Sequence, residues 1–426
     1  MQGGQFGSAL QAASSRGDEN LVHLLLANGA DVNIQEEHGS ALSAASSQGY
    51  TNTNIVRLLL EKGADVNMQG GFDGKALQAV SSSGHEDIVH LLLDKGADVN
   101  VQGGADGSAL RGASSWGCNK IVRVLLEAGA DVNHGSALYA ASSQGHESIV
   151  RLLLEKRADP NMQGEEDCNA LYAASLCGDE NIVRLLLEKG ADVNVQGGEY
   201  DSALQRASSS GHHTIVRLLL EKKADINMGA GSALHAASAQ GYNNIVRLLL
   251  EKGADVNIQG GAYGSALHGA SALGHENTVR LLLERGADAN VLGGMYCSAL
   301  GAASSLGHES IVRLLLENEA DVNLLGGHIC SALQAASSSG HENIARLLLE
   351  KGADVNVQGG RYGSALRAAF WGNHENIVRL LLEKGADVNV FASSWRYNNI
   401  SHLLQEQEAD VNMQGGEYGS VLQTAS

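Results

Sequence analysis

Residues 263–290 read Tyr-Gly-Ser-Ala-Leu-His-Gly-Ala-Ser-Ala-Leu-Gly-His-Glu-Asn-Thr-Val-Arg-Leu-Leu-Leu-Glu-Arg-Gly-Ala-Asp-Ala-Asn. The closing tetrapeptide is a variant of Ala-Asp-Val-Asn, which begins, exactly matched or nearly so, at Ala30, Ala64, Ala97, Ala130, Ala158, Ala191, Ala224, Ala254, Ala287, Ala320, Ala353, Ala386 and Ala409. The commonest interval is 33 residues. Self-similarity at such a period is the signature of a solenoid whose units bury their apolar faces only against neighbours. The 426-residue length therefore sets a number of units, not a number of domains.

Two short helices fit the quoted unit. Ser265 is placed to cap the first, which is rich in small residues, and Gly274 ends it by accepting the positive φ of a helix C-terminal turn. The second runs from about Glu276 to Arg285 and stops at Gly286. Its Val279, Leu281, Leu282 and Leu283 cover a broad apolar arc outside which Arg280 and Glu284 fall, so it is expected to bury that arc against its partner and adjacent units. Between units, stretches such as Gln358 to Gly363 carry three glycines and one aromatic, which suits a tight hairpin-like turn.

These residues resemble the ankyrin repeat family, whose unit carries Gly-x-Thr-Pro-Leu-His-x-Ala-Ala-x-x-Gly-His followed by Leu-Leu-Leu-x-x-Gly-Ala-Asp-Val-Asn. The resemblance covers nearly the whole chain. It implies an all-α ankyrin solenoid of helix-turn-helix units with projecting loops, about twelve complete repeats plus a truncated one and a partial terminal one. Ser-Ala replaces Thr-Pro in most units, and Gln11, Gln78, Gln205 or Gln334 replaces the family histidine, which His235 and His268 keep. Those departures call the family's histidine hydrogen-bond network into question. The narrower wording, Gly7 to Ser14 as Gly-Ser-Ala-Leu-Gln-Ala-Ala-Ser and His374 to Arg379 as His-Glu-Asn-Ile-Val-Arg, is similar to the arrays at the C-terminal, sensing end of fungal NACHT-type, NLR-like proteins.

The period breaks in three places. The step from Ala130 to Ala158 is 28 and that from Ala224 to Ala254 is 30, with short loops at Asn133-His134-Gly135-Ser136 and Met228-Gly229-Ala230-Gly231, so two projecting tips are clipped while their helices stay intact. From Ala386 to Ala409 the step is 23, and Phe391 to Trp395 follow directly on Asn389-Val390. The expected organisation is one continuous array over 1–390, a truncated unit at 391–412 lacking most of its first helix, and a partial unit at 413–426. Met1-Gln2-Gly3-Gly4 stands in the same phase as Met68-Gln69-Gly70-Gly71, which reads as a chain that is a piece of something longer.

Composition narrows the function classes. The chain has 48 acidic and 29 basic side chains, a formal charge of −19, which argues against binding a phosphate backbone. Cys118, Cys168, Cys177, Cys297 and Cys330 form no Cys-x-x-Cys pair and suit a reducing compartment. No apolar run is long enough to span a membrane and no secretion signal is evident, so a cytoplasmic location, with the nucleus as the alternative, is expected.

Motifs that suggest chemistry dissolve into the repeat. His85, His146, His212, His275, His308, His341 and His374 hold one position just before the second helix, where a helix-start role outweighs metal binding, and no second histidine follows at zinc-peptidase spacing. Gly70 to Ala76 is one residue short of a phosphate loop, and Ala76 stands where a magnesium-binding hydroxyl is needed. Thirteen regularly spaced aspartates of the tetrapeptide read as turn-shaping groups. Neither a catalytic cluster nor a cofactor or metal site is expected.

What varies between units lies on the loop tips and the first helix. The tips carry Phe72, Tyr200, Tyr263, Tyr296, Arg361 and Tyr362; the position after Ser-Ala-Leu carries Arg111, Tyr139, Tyr172, His235, His268 and Arg367; Trp116 and Trp371, with Trp395, align to the end of the first helix. Aromatic residues and arginine are favoured interface anchors. These fourteen residues, Trp395 aside, are the candidate partner-binding set. The expected function is non-catalytic recognition of a protein partner, one carrying a basic patch given the acidic array, along the concave side. The competing readings are the sensing portion of a larger fungal NLR-like protein and a degenerate fragment without independent function.

Overall fold

The computed structural model describes residues 8–34, 39–47, 53–68, 74–103, 107–164, 168–197, 201–229, 231–294, 296–326 and 331–388. The expected truncated and partial units at 391–412 and 413–426, and Cys330 and Trp395, lie outside the described residues. Among the described residues twenty-four α-helices alternate between a first helix of seven or eight residues and a second of nine. The chain divides into two compact units at Ala203/Leu204, with Glu221–Ala224 belonging to the first. The first unit holds the helix pairs from Ala9–Arg16 to Glu180–Glu188, and the second those from Ala203–Ser209 to Glu375–Glu383.

Local sequence explains each helix. Ser265 Oγ accepts from the His268 amide at 3.3 Å, and serines 8, 108, 298, 331 and 364 cap their helices in the same way. At the far end a glycine with positive φ, such as Gly274 at 79° or Gly340 at 82°, turns the chain toward the second helix. Within each unit first helices stack on first helices and second on second. The first helices approach closely because they face one another with alanine and serine. Ser14, Ser46, Ser81, Ser114 and Ser304 are fully buried there, and the Ser46 and Ser81 hydroxyls return to the carbonyls of Leu42 and Leu77. The second helices supply the bulk, for example Ile149, Val150 and Leu153 in the first unit and Val279 and Leu282 in the second.

The projecting loops are hairpins in miniature. Gln196–Gly197 pairs antiparallel with Asp201–Ser202, and bridges join Gln163 to Asn169, Gly260 to Gly264 and Gly359 to Gly363. The loop at 134–136 is clipped as its length requires, and becomes a single 3-10 turn, His134–Ser136.

The tetrapeptide is the main seam between repeats. From Asp31 to Asp354 each tetrapeptide aspartate folds its carboxylate onto the amide two residues on, as Asp288 does with Asn290 at 2.8 Å, which is the turn-shaping role expected of it. The asparagine then reaches the next repeat. Asn290 Nδ2 donates to the Glu319 carbonyl at 3.2 Å while its Oδ1 accepts from the Asp321 amide at 2.7 Å. The same two bonds recur from Asn33, Asn67, Asn100 and Asn161 in the first unit and from Asn257, Asn323 and Asn356 in the second. Asn323→Ala should therefore loosen one seam by about 1–2 kcal/mol. Amide exchange at Asp354 should accelerate roughly tenfold or more, and an unchanged rate would contradict the ladder's role.

Most second helices end in glycine at positive φ, with open space around the missing Cβ at Gly253, Gly286 and Gly352. Arg157, Lys223 and Glu319 take that place in three repeats and are forced to φ of 66°, 67° and 63°. A left-handed residue with a Cβ carries about 1 kcal/mol of strain. Glu319→Gly should consequently raise the urea midpoint of the intact chain, because it relieves strain and keeps the carbonyl that Asn290 uses; a lower midpoint would show the strain is absent.

Candidate functional site

The histidines before the second helices stand at the helix starts, as expected from their position, and their carbonyls accept the first helical bonds, as His146 does from the Val150 amide. Those at His85, His146, His275, His308, His341 and His374 stand at the N-cap without a side-chain capping bond. The rings instead point to the preceding repeat. Nε2 of His146, His275, His308, His341 and His374 lies 3.0–3.2 Å from the carbonyls of Ser115, Ala239, Ala272, Ser305 and Ser338. The glycine of that preceding repeat is needed twice over. Its φ is positive, and a Cβ on Gly274 or Gly307 would stand 2.8 or 2.6 Å from the next ring.

The position after Ser-Ala-Leu has a mechanical task as well. Gln78 Nε2 donates to the carbonyls of Val101, Gly103 and Gly107 at 3.3, 2.7 and 2.5 Å, and Gln334 makes the same three contacts with Val357, Gly359 and Gly363. Gln205 reaches the Gly231 carbonyl, Ser43 the Gly74 carbonyl at 3.0 Å, and His268 the Cys297 carbonyl at 3.4 Å. Glutamine thus takes over the family histidine's bonds. Tyrosine does the work by packing. The Tyr139 ring lies on Gly164, where a Cβ would stand 2.5 Å from it, and Tyr172 lies on Gly197, where a Cβ would stand 3.2 Å from its ring. In each of these cases the side chain meets the loop of the following repeat.

That task removes several sequence-derived candidates from the surface. Tyr172 is 7% exposed, His235 9% and His268 2%, so a partner cannot reach them while the loops are in place. Tyr139 is half-buried on Gly164. Arg111 and Arg367 are half-buried with their guanidinium groups beside Gly107 and Gly363 of their own loops. Burial follows from the direction of the helix face, which turns this position toward the next repeat. Phe72 and Tyr200 lie outside the described residues.

The tips and helix ends remain. Tyr263, Tyr296 and Tyr362 are half-buried, and Arg361 is exposed with its guanidinium 5.9 Å from the Tyr362 ring centre. Trp116 is 67% exposed and Trp371 59%. Trp116 follows the Ala109–Ser115 helix, whereas Trp371 is the last residue of Ala365–Trp371. The two are offset by one position because Asn373, at φ 56°, and not Gly372 makes the left-handed turn. Leu176, Leu273 and Leu306 are exposed at the same helix ends. They were not among the candidates, although an apolar residue just before a helix-ending glycine is a visible signal.

Electrostatics do not activate Cys118 or Cys177 as a nucleophile. Burial pushes Cys118 above the usual thiol range, and burial together with Asp179 does so for Cys177. Among the described residues no group of three or more His, Cys, Asp or Glu is placed to hold a metal ion, and no helix is long and apolar enough to cross a membrane. On the second helices, arginines 151, 184, 280, 313, 346 and 379 each pair with the glutamate four residues before.

A clean separation of roles follows. Tyr172→Ala should cost about 3 kcal/mol because it empties a packed site under the 197–202 loop, whereas Trp116→Ala should change stability by less than about 0.5 kcal/mol. Comparison of urea midpoints checks both; equal losses would show that Trp116 is structural.

A family model for ankyrin repeats, three copies long, matches residues 9–103, 69–136, 110–197, 196–260, 261–326 and 300–392. A search of curated proteins found no match.

Proposed function

Because the chain belongs to the ankyrin repeat family, a family of protein–protein interaction modules that is typically non-catalytic, we propose that it recognises a protein partner through the ends of its first helices and its loop tips. The observation that carries this reading is the pair Trp116 and Trp371. Each is a large apolar side chain held in water by an ordered helix end, and neither is needed by the loop anchors or the seams. Tryptophan is among the commonest binding hot spots. Leu273 and Leu306 extend the apolar character along the second unit, and Arg361 with Tyr362 offers a preformed cation–aromatic pair at a tip.

The partner's chemistry is a basic surface with apolar anchors. Six arginines on the second helices are paired with glutamates of their own helix, and the chain's excess of 48 acidic over 29 basic groups attracts cations. The similarity of the repeat wording to fungal sensor arrays supports the further reading that recognition serves a larger switch protein. Affinity capture with the intact chain tests the surface. Trp116→Ala and Trp371→Ala should each weaken capture about tenfold or more at unchanged stability, and high salt should weaken it further. Retention of full affinity by both variants would overturn the reading.

A further inference from the structure

Two of the loop anchors can change charge. His235 and His268 occupy the same place in consecutive repeats, on the helices Ala233–Ala239 and Ala266–Ala272. The anchors described at other repeats are glutamine, tyrosine or serine, none of which titrates between about pH 5 and 8. Each imidazole lies between the serine that begins its own helix and the backbone of the following loop. Ser232 Oγ is 2.8 Å from His235 Nδ1, and the ring is buried close to the Gly264 and Ile258 carbonyls with no hydrogen bond made by its Nε2. Ser265 Oγ is 2.6 Å from His268 Nδ1, and the Cys297 carbonyl is 3.4 Å from Nε2. A carbonyl can only accept, so Nε2 of His268 carries the proton and Nδ1 accepts from the serine hydroxyl. The site is arranged for a neutral ring.

No carboxylate is paired with either ring to compensate a positive charge. The titratable side chain that acts on His235 is His268, and the two cations would repel. On the packed elements the other ionisable groups are Arg206 on the preceding first helix, Tyr263 and Tyr296 in the loops, the Cys297 thiol, and Asp255 and Asp288, which are exposed and turned onto the amides of Asn257 and Asn290. The paired second helices turn Ile245, Val246 and Leu249, and Thr278, Val279 and Leu282, inward. Their Arg247, Glu251, Arg280 and Glu284 are exposed, and Glu276 is tied to Arg280.

We propose that His235 and His268 are a pH-sensitive catch: a proton on either ring releases the loop it holds, ending at Gly264 or at Cys297, and with it the tip aromatic Tyr263 or Tyr296. Burial pushes both rings below the ordinary histidine value of 6.5, with the carbonyl contacts opposing it only in part. The sign follows. Above 6.5 the rings are neutral whether the loop is closed or open, and the catch holds. As pH falls through that value, a released imidazole in water takes a proton that the buried one refuses, so each step down favours release. The consequence for partner binding rests on the recognition role proposed for the tips; the catch itself does not.

The test uses the intact chain without a partner. The Gly260 amide donates to Gly264 and the Gly293 amide to Cys297, both at 2.9 Å, in the two histidine-held loops. The Gly103 and Gly359 amides make the same bond, at 2.8 and 2.9 Å, in loops held by Gln78 and Gln334. After correction for intrinsic exchange, opening at Gly260 and Gly293 should rise roughly tenfold between about pH 7 and pH 5.5. Gly103 and Gly359 should stay level. His235→Gln and His268→Gln should flatten the two profiles while keeping the loops closed at neutral pH, since glutamine already performs this task elsewhere in the chain. A flat profile in the unaltered protein, an equal rise in all four loops, or a rise that survives in the glutamine variants would overturn the proposal.

Discussion

Among the described residues, hydrogen bonding left open in one repeat is completed by its neighbour. Three handovers recur. The tetrapeptide asparagine bridges to the carbonyl and amide of the following turn, as Asn257 does with Gly286 and Asp288. The histidine before the second helix caps the last carbonyls of the preceding first helix, and the residue after Ser-Ala-Leu pins the following loop. Apolar contact between the stacked helices supplies bulk attraction, but it tolerates sliding. The handovers fix register, because each donor meets its acceptor only when the repeats are aligned turn to turn.

This dependence explains why the sequence was legible in one respect and opaque in another. The 33-residue period, the serine that starts the first helix and the glycines that end both helices could be read directly, since caps and left-handed turns are decided within a few residues. Ser265, Gly274 and Gly286 fall where the local reading put them. The roles of His308, Gln78 and Tyr172 could not be read so, because the partner of each lies 23 to 36 residues away. Variation at such a position suggested freedom to meet a partner. It is instead a set of different solutions to one requirement. Glutamine donates to the loop backbone, tyrosine covers a loop glycine and histidine bridges serine to carbonyl.

The same requirement makes some glycines irreplaceable and leaves others to conformational preference alone. Gly274 must be glycine for its φ of 79° and for the His308 ring that would meet a Cβ at 2.8 Å. Gly286 needs only the φ, with nothing within 4 Å of the missing Cβ. The chain's departures respect that difference. Arg157, Lys223 and Glu319 replace glycine at the end of a second helix, where the cost is backbone strain, while the first-helix ends that face a neighbouring histidine, such as Gly274, Gly307 and Gly340, keep glycine. Clipped loops obey the same logic: the 134–136 segment loses its projection yet still lets Ser136 Oγ donate to the Gln163 carbonyl at 2.7 Å.

Function is left to what the handovers do not use. A side chain engaged in a seam cannot be exchanged for partner specificity without loosening the stack, so recognition is confined to positions that neighbouring repeats ignore. Among the candidates, Trp116 and Trp371 meet that condition at helix ends, and Arg361 meets it at a tip. Histidine at the loop-anchoring position crosses the boundary between the two classes. It satisfies the seam as glutamine does, yet its affinity for a proton makes the loop above it responsive to the medium, so His235 and His268 turn an element of the scaffold into a point of control.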